Sequence, residues 1–179
     1  MAISAVIPQE VHWIVTAAWT YPDWLRSHFL TPASHWSFQR VANVYGFTTM
    51  PPMPPRPEDT QRRARSVRKV LSYARKVEQA IIGLAPEGRD SPEGGLCTPP
   101  PGTGRFMLHL ADMKFDILPV GVFEHKDELY VRFGPGYRLP TSQDPGLADL
   151  PVDGRDRYIS RTVMERIARM VPERLRGEF

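Results

Sequence analysis

The chain has 179 residues, enough for one compact domain with a real core. Apolar residues make up 41% and charged residues 24%, which excludes a chain disordered throughout. The net charge of +3 is too mild to argue for nucleic acid, and the single Cys97 excludes an internal disulfide framework or a cysteine-based zinc site.

No apolar run reaches the roughly 18 residues of a membrane-spanning helix. The first residues, MAISAVIPQEVHWIV, have no early basic residue and carry Glu10, so they read poorly as a secretory signal. Val11 to Thr16, β-branched and aromatic, predict a buried strand. A Trp/Tyr-rich stretch follows, with Trp13, Trp19, Tyr21, Trp24, Leu25, Phe29 and Leu30 reading first as core and second as a lipid groove. Thr31 and Pro32 open a helix whose apolar stripe is Phe38, Val41, Ala42 and Tyr45, and Gly46 stops it. Phe47 to Met50 suit a short strand. Met50 to Pro57, MPPMPPRP, predict an extended proline loop.

A basic helix is expected from about Asp59 to Lys76. Ala64, Val67, Val70, Leu71 and Ala74 form its apolar side, and Arg62, Arg63, Arg65, Arg68, Lys69, Arg75 and Lys76 its polar face. Ala80 to Ala85 predict a buried parallel strand. A second Pro/Gly loop contains GGLCTPPPGTG. A helix over Gly104 to Met113 turns Phe106, Met107, Leu110 and Met113 inward. Asp116 to Phe123 and Leu129 to Phe133 predict a strand and its hairpin return. A loop over 134–155 leads to a C-terminal helix over 156–172, with Ile159, Val163, Ile167 and Val171 inward. Short apolar strands alternating with helices predict a single α/β domain over residues 1–179. The expected architecture is a mixed, largely parallel sheet with helices on both faces.

Ligands of such sheets sit at the carboxyl ends of strands. Two punctuated loops leave strand ends here, the turn over Glu124 to Glu128 and the more crowded Pro86-Glu87-Gly88-Arg89-Asp90-Ser91. Pro86 denies its N–H to a ladder, and Gly88 allows a backbone conformation other residues resist. Arg89 and backbone N–H groups could hold a phosphate, with Glu87 orienting that cation or a hydroxyl. A solvated surface turn is the plain alternative.

Leu84-Ala85-Pro86-Glu87-Gly88-Arg89-Asp90-Ser91 resembles the phosphate-binding block of the glycerol-phosphate and lysophosphatidate acyltransferase family, an apolar strand ending F-P-E-G-T-R-S. Ile117-Leu118-Pro119-Val120-Gly121-Val122, about thirty residues on, resembles that family's V-P-V strand. Gly46 and the basic helix also fit the family's order, and the resemblance covers roughly residues 11 to 135. It implies an acyltransferase-like fold and a transferase of phospholipid biosynthesis and lipid metabolism. A fatty acyl group would pass from an acyl thioester donor, acyl-CoA or acyl carrier protein, to a glycerol-3-phosphate-like or lysophospholipid hydroxyl. Glu87, Gly88, Arg89 and Ser91 would bind the acceptor phosphate, and Pro86 and Pro119 would shape the loop and the neighbouring wall. No metal or redox cofactor is implied. The implied location is cytoplasmic. The basic helix itself reads first as a solvated face and second, through Arg62, Arg65, Arg68 and Lys69, as a contact with anionic headgroups at the inner face of the membrane.

The chain departs from the family in three respects, one being that the family's Arg in the block around Gly46 has no clear counterpart, since Arg56, the nearest basic residue after it, lies on the wrong side of four prolines. Arg89 and Asp90 stand where the pattern has Thr and Arg, which moves the basic group by one position and sets an acid beside it. The family's catalytic His-x-x-x-x-Asp, in which His takes the proton of the attacking hydroxyl, has no counterpart. Five residues after His12, His28, His35, His109 and His125 stand Ala17, Ala33, Arg40, Lys114 and Tyr130. By the family's order the pair would fall ahead of Met1. A chain that starts late and a natural variant without the pair are both open, and on either the chain alone is expected to be a poor catalyst. The second reading is therefore a non-catalytic phospholipid-headgroup domain.

The remaining histidines suggest little chemistry. His12 reads as a satisfied core or edge residue and His109 as half-buried and structural. His28 and His35 lack an obvious third metal ligand. The basic helix could serve nucleic acid, but no aromatics interleave with its cations, so no nucleic-acid partner is expected.

Overall fold

A computed structural model describes residues 7, 9–16, 36, 37, 40, 42, 44, 46–51, 57–88 and 94–179. The chain forms two compact units, with the boundary between residues 89 and 90.

The first unit is built on a three-stranded parallel sheet. β1 (Val11–Thr16) is central, with β2 (Thr48–Met50) on one side and β3 (Ile81–Leu84) on the other. Ile14 is level with Thr48 on β2 and with Leu84 on β3. Alternation along the strands therefore puts His12, Ile14, Thr48, Met50, Ile82 and Leu84 on one face. Helix α1 (Thr60–Lys76) connects β2 to β3 and covers that face. Its Tyr73 stacks on His12, and the Ser66 hydroxyl donates to the Thr49 carbonyl at 2.7 Å. Val70 is fully buried and Ala74 nearly so, as the helical spacing requires.

Several expectations change here. Ala64 is exposed, because the buried arc of α1 centres on Val70 and Ala74 and leaves it on the rim. β3 is half-buried, since it has a sheet neighbour on one side among the described residues. Of the first expected helix, positions 36, 37, 40, 42 and 44 are helical, with Ala42 buried and Val44 exposed. Gly46 follows at φ +71°. Thr31, Pro32, Phe38, Val41 and Tyr45 lie outside the described residues, as do Trp19 to Leu30 and residues 52–56 of the proline loop.

The second unit packs α2 (Thr103–Asp112) against α3 (Val152–Ala168), beside a hairpin of β4 (Val120–His125) and β5 (Glu128–Phe133). Phe106, Met107, Leu110, Ile159, Val163 and Met164 are buried in its core. Met113 and Ile167 are half-buried. The hairpin turn is Lys126-Asp127, both at positive φ, the two-residue geometry that matches strand twist.

The expected strand from Asp116 starts only at Val120. Pro119 has no N–H to give, and its carbonyl instead accepts the Gly134 N–H at 2.9 Å. Ile117 forms a lone antiparallel bridge with Tyr137. The hairpin is a two-stranded sheet of its own, so parallel and antiparallel pairing divide between the units instead of mixing in one sheet. The C-terminal helix begins at Val152, four residues early, because Pro151 in extended conformation can stand only at its start. One helical turn, Pro145–Ala148, sits within the expected loop.

Candidate functional site

The carboxyl ends of the three parallel strands define one edge of the first unit. The chain runs outward from β1 to β2 and then returns past β1 to β3. That reversal makes the carboxyl ends of β1 and β3 a switch point, the place where open parallel sheets hold ligands. The Pro86-Glu87-Gly88 turn leaves β3 there. The Gly88 N–H donates to the Ala85 carbonyl at 3.1 Å, closing a turn with Pro86 at its second position, where a fixed φ is an advantage. Gly88 follows at φ +65°, a left-handed conformation that costs other residues more. Pro86 is buried, while Glu87 and Gly88 are half-buried and reachable from solvent. A turn followed by a left-handed residue is also the backbone form that gathers N–H groups around an anion.

Of the expected site residues, the structure thus places Pro86, Glu87 and Gly88 at the sheet edge. Arg89 and Ser91 lie outside the described residues. Pro119 is buried and belongs to the second unit. Arg62, Arg65, Arg68 and Lys69 are all exposed on α1. Arg62 reaches Asp59 at 3.8 Å, and the Arg68 Nε donates to the Ala64 carbonyl at 3.3 Å.

His12 is one of two buried titratable groups among the described residues of this unit, Asp59 being the other. The His12 Nε2 lies 2.9 Å from the Thr48 hydroxyl, and its ring stacks on Tyr73 at 4.2 Å. Burial pushes its pKa below the ordinary value, Lys69 adds to that shift, and Glu10 opposes it. Burial also raises the Tyr73 phenol, with Glu10 adding to the rise. In register His12 is level with Ile82, four residues and about 13 Å of strand below Pro86. It is therefore a satisfied core histidine, as its sequence context suggests, and too distant to serve a ligand at the turn. His109 is exposed, not half-buried, because it lies on the outer side of α2 between inward-facing Phe106 and Leu110. His125 is exposed too, with its ring edge-on to Tyr130 at 6.2 Å. His28 and His35 lie outside the described residues.

The sequence gives no sign of two polar residues that the fold buries. Asp59 is buried just ahead of α1. Asp156 on α3 is buried in the second unit, where its carboxylate accepts the Gly102 and Arg105 N–H groups, each at 2.8 Å. It caps α2 in place of the side chain that Gly102 lacks, and so fills that helix N-terminus with an internal anion. Tyr137 has its phenol pushed up to about 12 by burial, against the opposing charge of Arg166 stacked on its ring at 4.2 Å. Among the described residues no His, Cys, Asp or Glu cluster has a metal-binding arrangement, and no helix is long and apolar enough to cross a membrane.

The first unit is of the α/β class, with a helix-covered parallel sheet whose carboxyl edge carries a proline-glycine turn. No family model, no curated protein and no solved structure matches the chain.

Proposed function

We propose that the chain is an acyltransferase-type domain of glycerolipid metabolism whose own contribution is to hold the phosphate of a glycerol-phosphate-like or lysophospholipid acceptor. The observation that carries this reading is the Pro86-Glu87-Gly88 turn, with Gly88 left-handed, at the carboxyl end of β3 beside the central strand. Glu87 and Gly88 stand there, and Arg89, Asp90 and Ser91 follow in sequence. A guanidinium and backbone N–H groups together suit a phosphate monoester.

In the transfer itself, the acceptor hydroxyl oxygen attacks the thioester carbonyl of acyl-CoA or acyl carrier protein. Its proton passes to a base, and the thiolate leaves. The sequence contains no His-x-x-x-x-Asp to act as that base. His12 is engaged by Thr48 and Tyr73, which favours the second reading, a phospholipid-headgroup domain without catalysis.

Calorimetry with glycerol 3-phosphate and with lysophosphatidate tests the acceptor site. Arg89→Ala is expected to weaken binding about tenfold or more, as loss of a charge-assisted contact does. Lys76→Ala, at the far end of α1, should leave it nearly unchanged. Equal effects of the two substitutions would remove the assignment. Thioester consumption by the same protein separates the readings, since a headgroup domain binds the acceptor and releases no thiol.

A further inference from the structure

The outer face of α1 is a continuous basic surface. The helix carries seven basic residues and no acidic one between Thr60 and Lys76. Arg62, Arg65, Lys69 and Lys76 follow at i, i+3, i+7 and i+14, which sets them along one stripe. Arg68 and Arg75 flank it. All six are exposed, while Val70 and Ala74 on the opposite side are buried against the sheet. Seventeen residues of helix make the stripe about 25 Å long.

We infer that this stripe docks the protein onto an anionic lipid surface. Six exposed cations on a straight helix match a flat sheet of negative headgroups in charge and shape. The alternative polyanion is nucleic acid. Single-strand binders add aromatic platforms to their cations, and the exposed side of α1 has no aromatic residue, since Tyr73 is half-buried against His12. The apolar side of α1 is occupied by the sheet, so the helix cannot sink its hydrophobic face into the bilayer as an inserting amphipathic helix does. Docking is therefore electrostatic and superficial. It adds a surface to the acceptor site without depending on that site.

The test uses the full chain and vesicles of phosphatidylcholine, either pure or mixed equally with phosphatidylglycerol, separated by sedimentation. Binding is expected to the mixed vesicles and not to the neutral ones. It should vanish as salt rises from about 0.1 M to about 1 M, where the screening length falls from about 10 Å to about 3 Å. The double variant Arg65→Glu/Lys76→Glu should lose at least about a hundredfold in partition, at about fivefold per unit charge. The double variant Arg157→Glu/Arg169→Glu makes the same change in net charge on exposed positions of the second unit, and should stay within about fivefold of the parent. Circular dichroism checks that both variants keep their helices. The inference is overturned by equal binding to neutral vesicles, by absence of binding to the mixed ones, by an equal loss in the control variant, or by tighter binding of an RNA oligomer at the same salt.

Discussion

Each unit is held together internally by its own kind of contact. In the second, backbone meets backbone. Gly104 of α2 lies so close to α3 that an added Cβ would meet the Asp156 carbonyl oxygen, with the carbonyl carbon and the Ser160 Oγ each at 2.8 Å. A Cβ added to Gly121 would likewise lie 2.7 Å from the Met170 carbonyl oxygen. In the first unit the tight contacts are made by side chains, with Trp13 laid over Gly83 and His12 between Thr48 and Tyr73. The first unit also presents the sheet edge and the cation stripe. A scaffold fixed by main chain cannot adjust to a ligand. A unit fixed by side chains can, and it is the one whose surface carries the candidate chemistry.

The sharpest way to break this comparison is to put the same methyl group into each unit. Gly104→Ala is expected to cost about 3 kcal/mol, because two helices must part to admit it. The atoms nearest a Cβ on Gly83 belong to the half-buried Trp13 ring, a side chain that can shift, so Gly83→Ala should cost about 1 kcal/mol. Urea midpoints read both. Equal costs would mean that the two units are equally yielding.

Next in size is Asp156→Ala. It strips the cap from α2 and leaves the Gly102 and Arg105 N–H groups without their acceptor, at about 2 kcal/mol. Hydrogen exchange locates the damage. Amides at the start of α2 should lose protection while those of α1 keep theirs. Unchanged protection at the start of α2 would contradict the capping role of Asp156.

How much of this was readable beforehand depends on the range of the interaction. α1, α2, β1 and the hairpin followed from spacing and turn residues, which act within a few positions. The late start of β4 was legible in principle, since Pro119 cannot donate to a ladder. The partners of Asp156 lie 51 and 54 residues away, and Tyr73 lies sixty-one residues from His12, so neither contact leaves a local pattern. Contacts between a glycine and a distant carbonyl leave none either. At the candidate site, the turn conformation followed from Pro86 and Gly88. Its place at the switch point did not, because strand order is fixed by how three separated segments pair.

The smallest expected effect is the pH response of the first unit, which reports whether His12 is held as firmly as its contacts imply. Its folded pKa lies below the ordinary value, so the unfolded chain binds more protons between the two values and stability rises with pH across that window. The stabilisation is complete above about pH 6.5 and is lost as pH falls through the folded value. Lys69 from α1 and Glu10 ahead of β1 are the charges that act on His12, in opposite directions, while Thr48 and Tyr73 stay neutral across this range. Urea midpoints of the parent should therefore drop between pH 7.5 and pH 5.5, by less than about 1 kcal/mol in stability. His12→Phe keeps the stacking ring and removes the titration, so its midpoint should be flatter over the same interval. Lys69→Gln removes the positive neighbour, brings His12 nearer its ordinary value and should fall between the two. A parent and a His12→Phe variant with the same slope would show that His12 takes up its proton within the fold without strain, and the side-chain contacts of the first unit would then be looser than their geometry suggests.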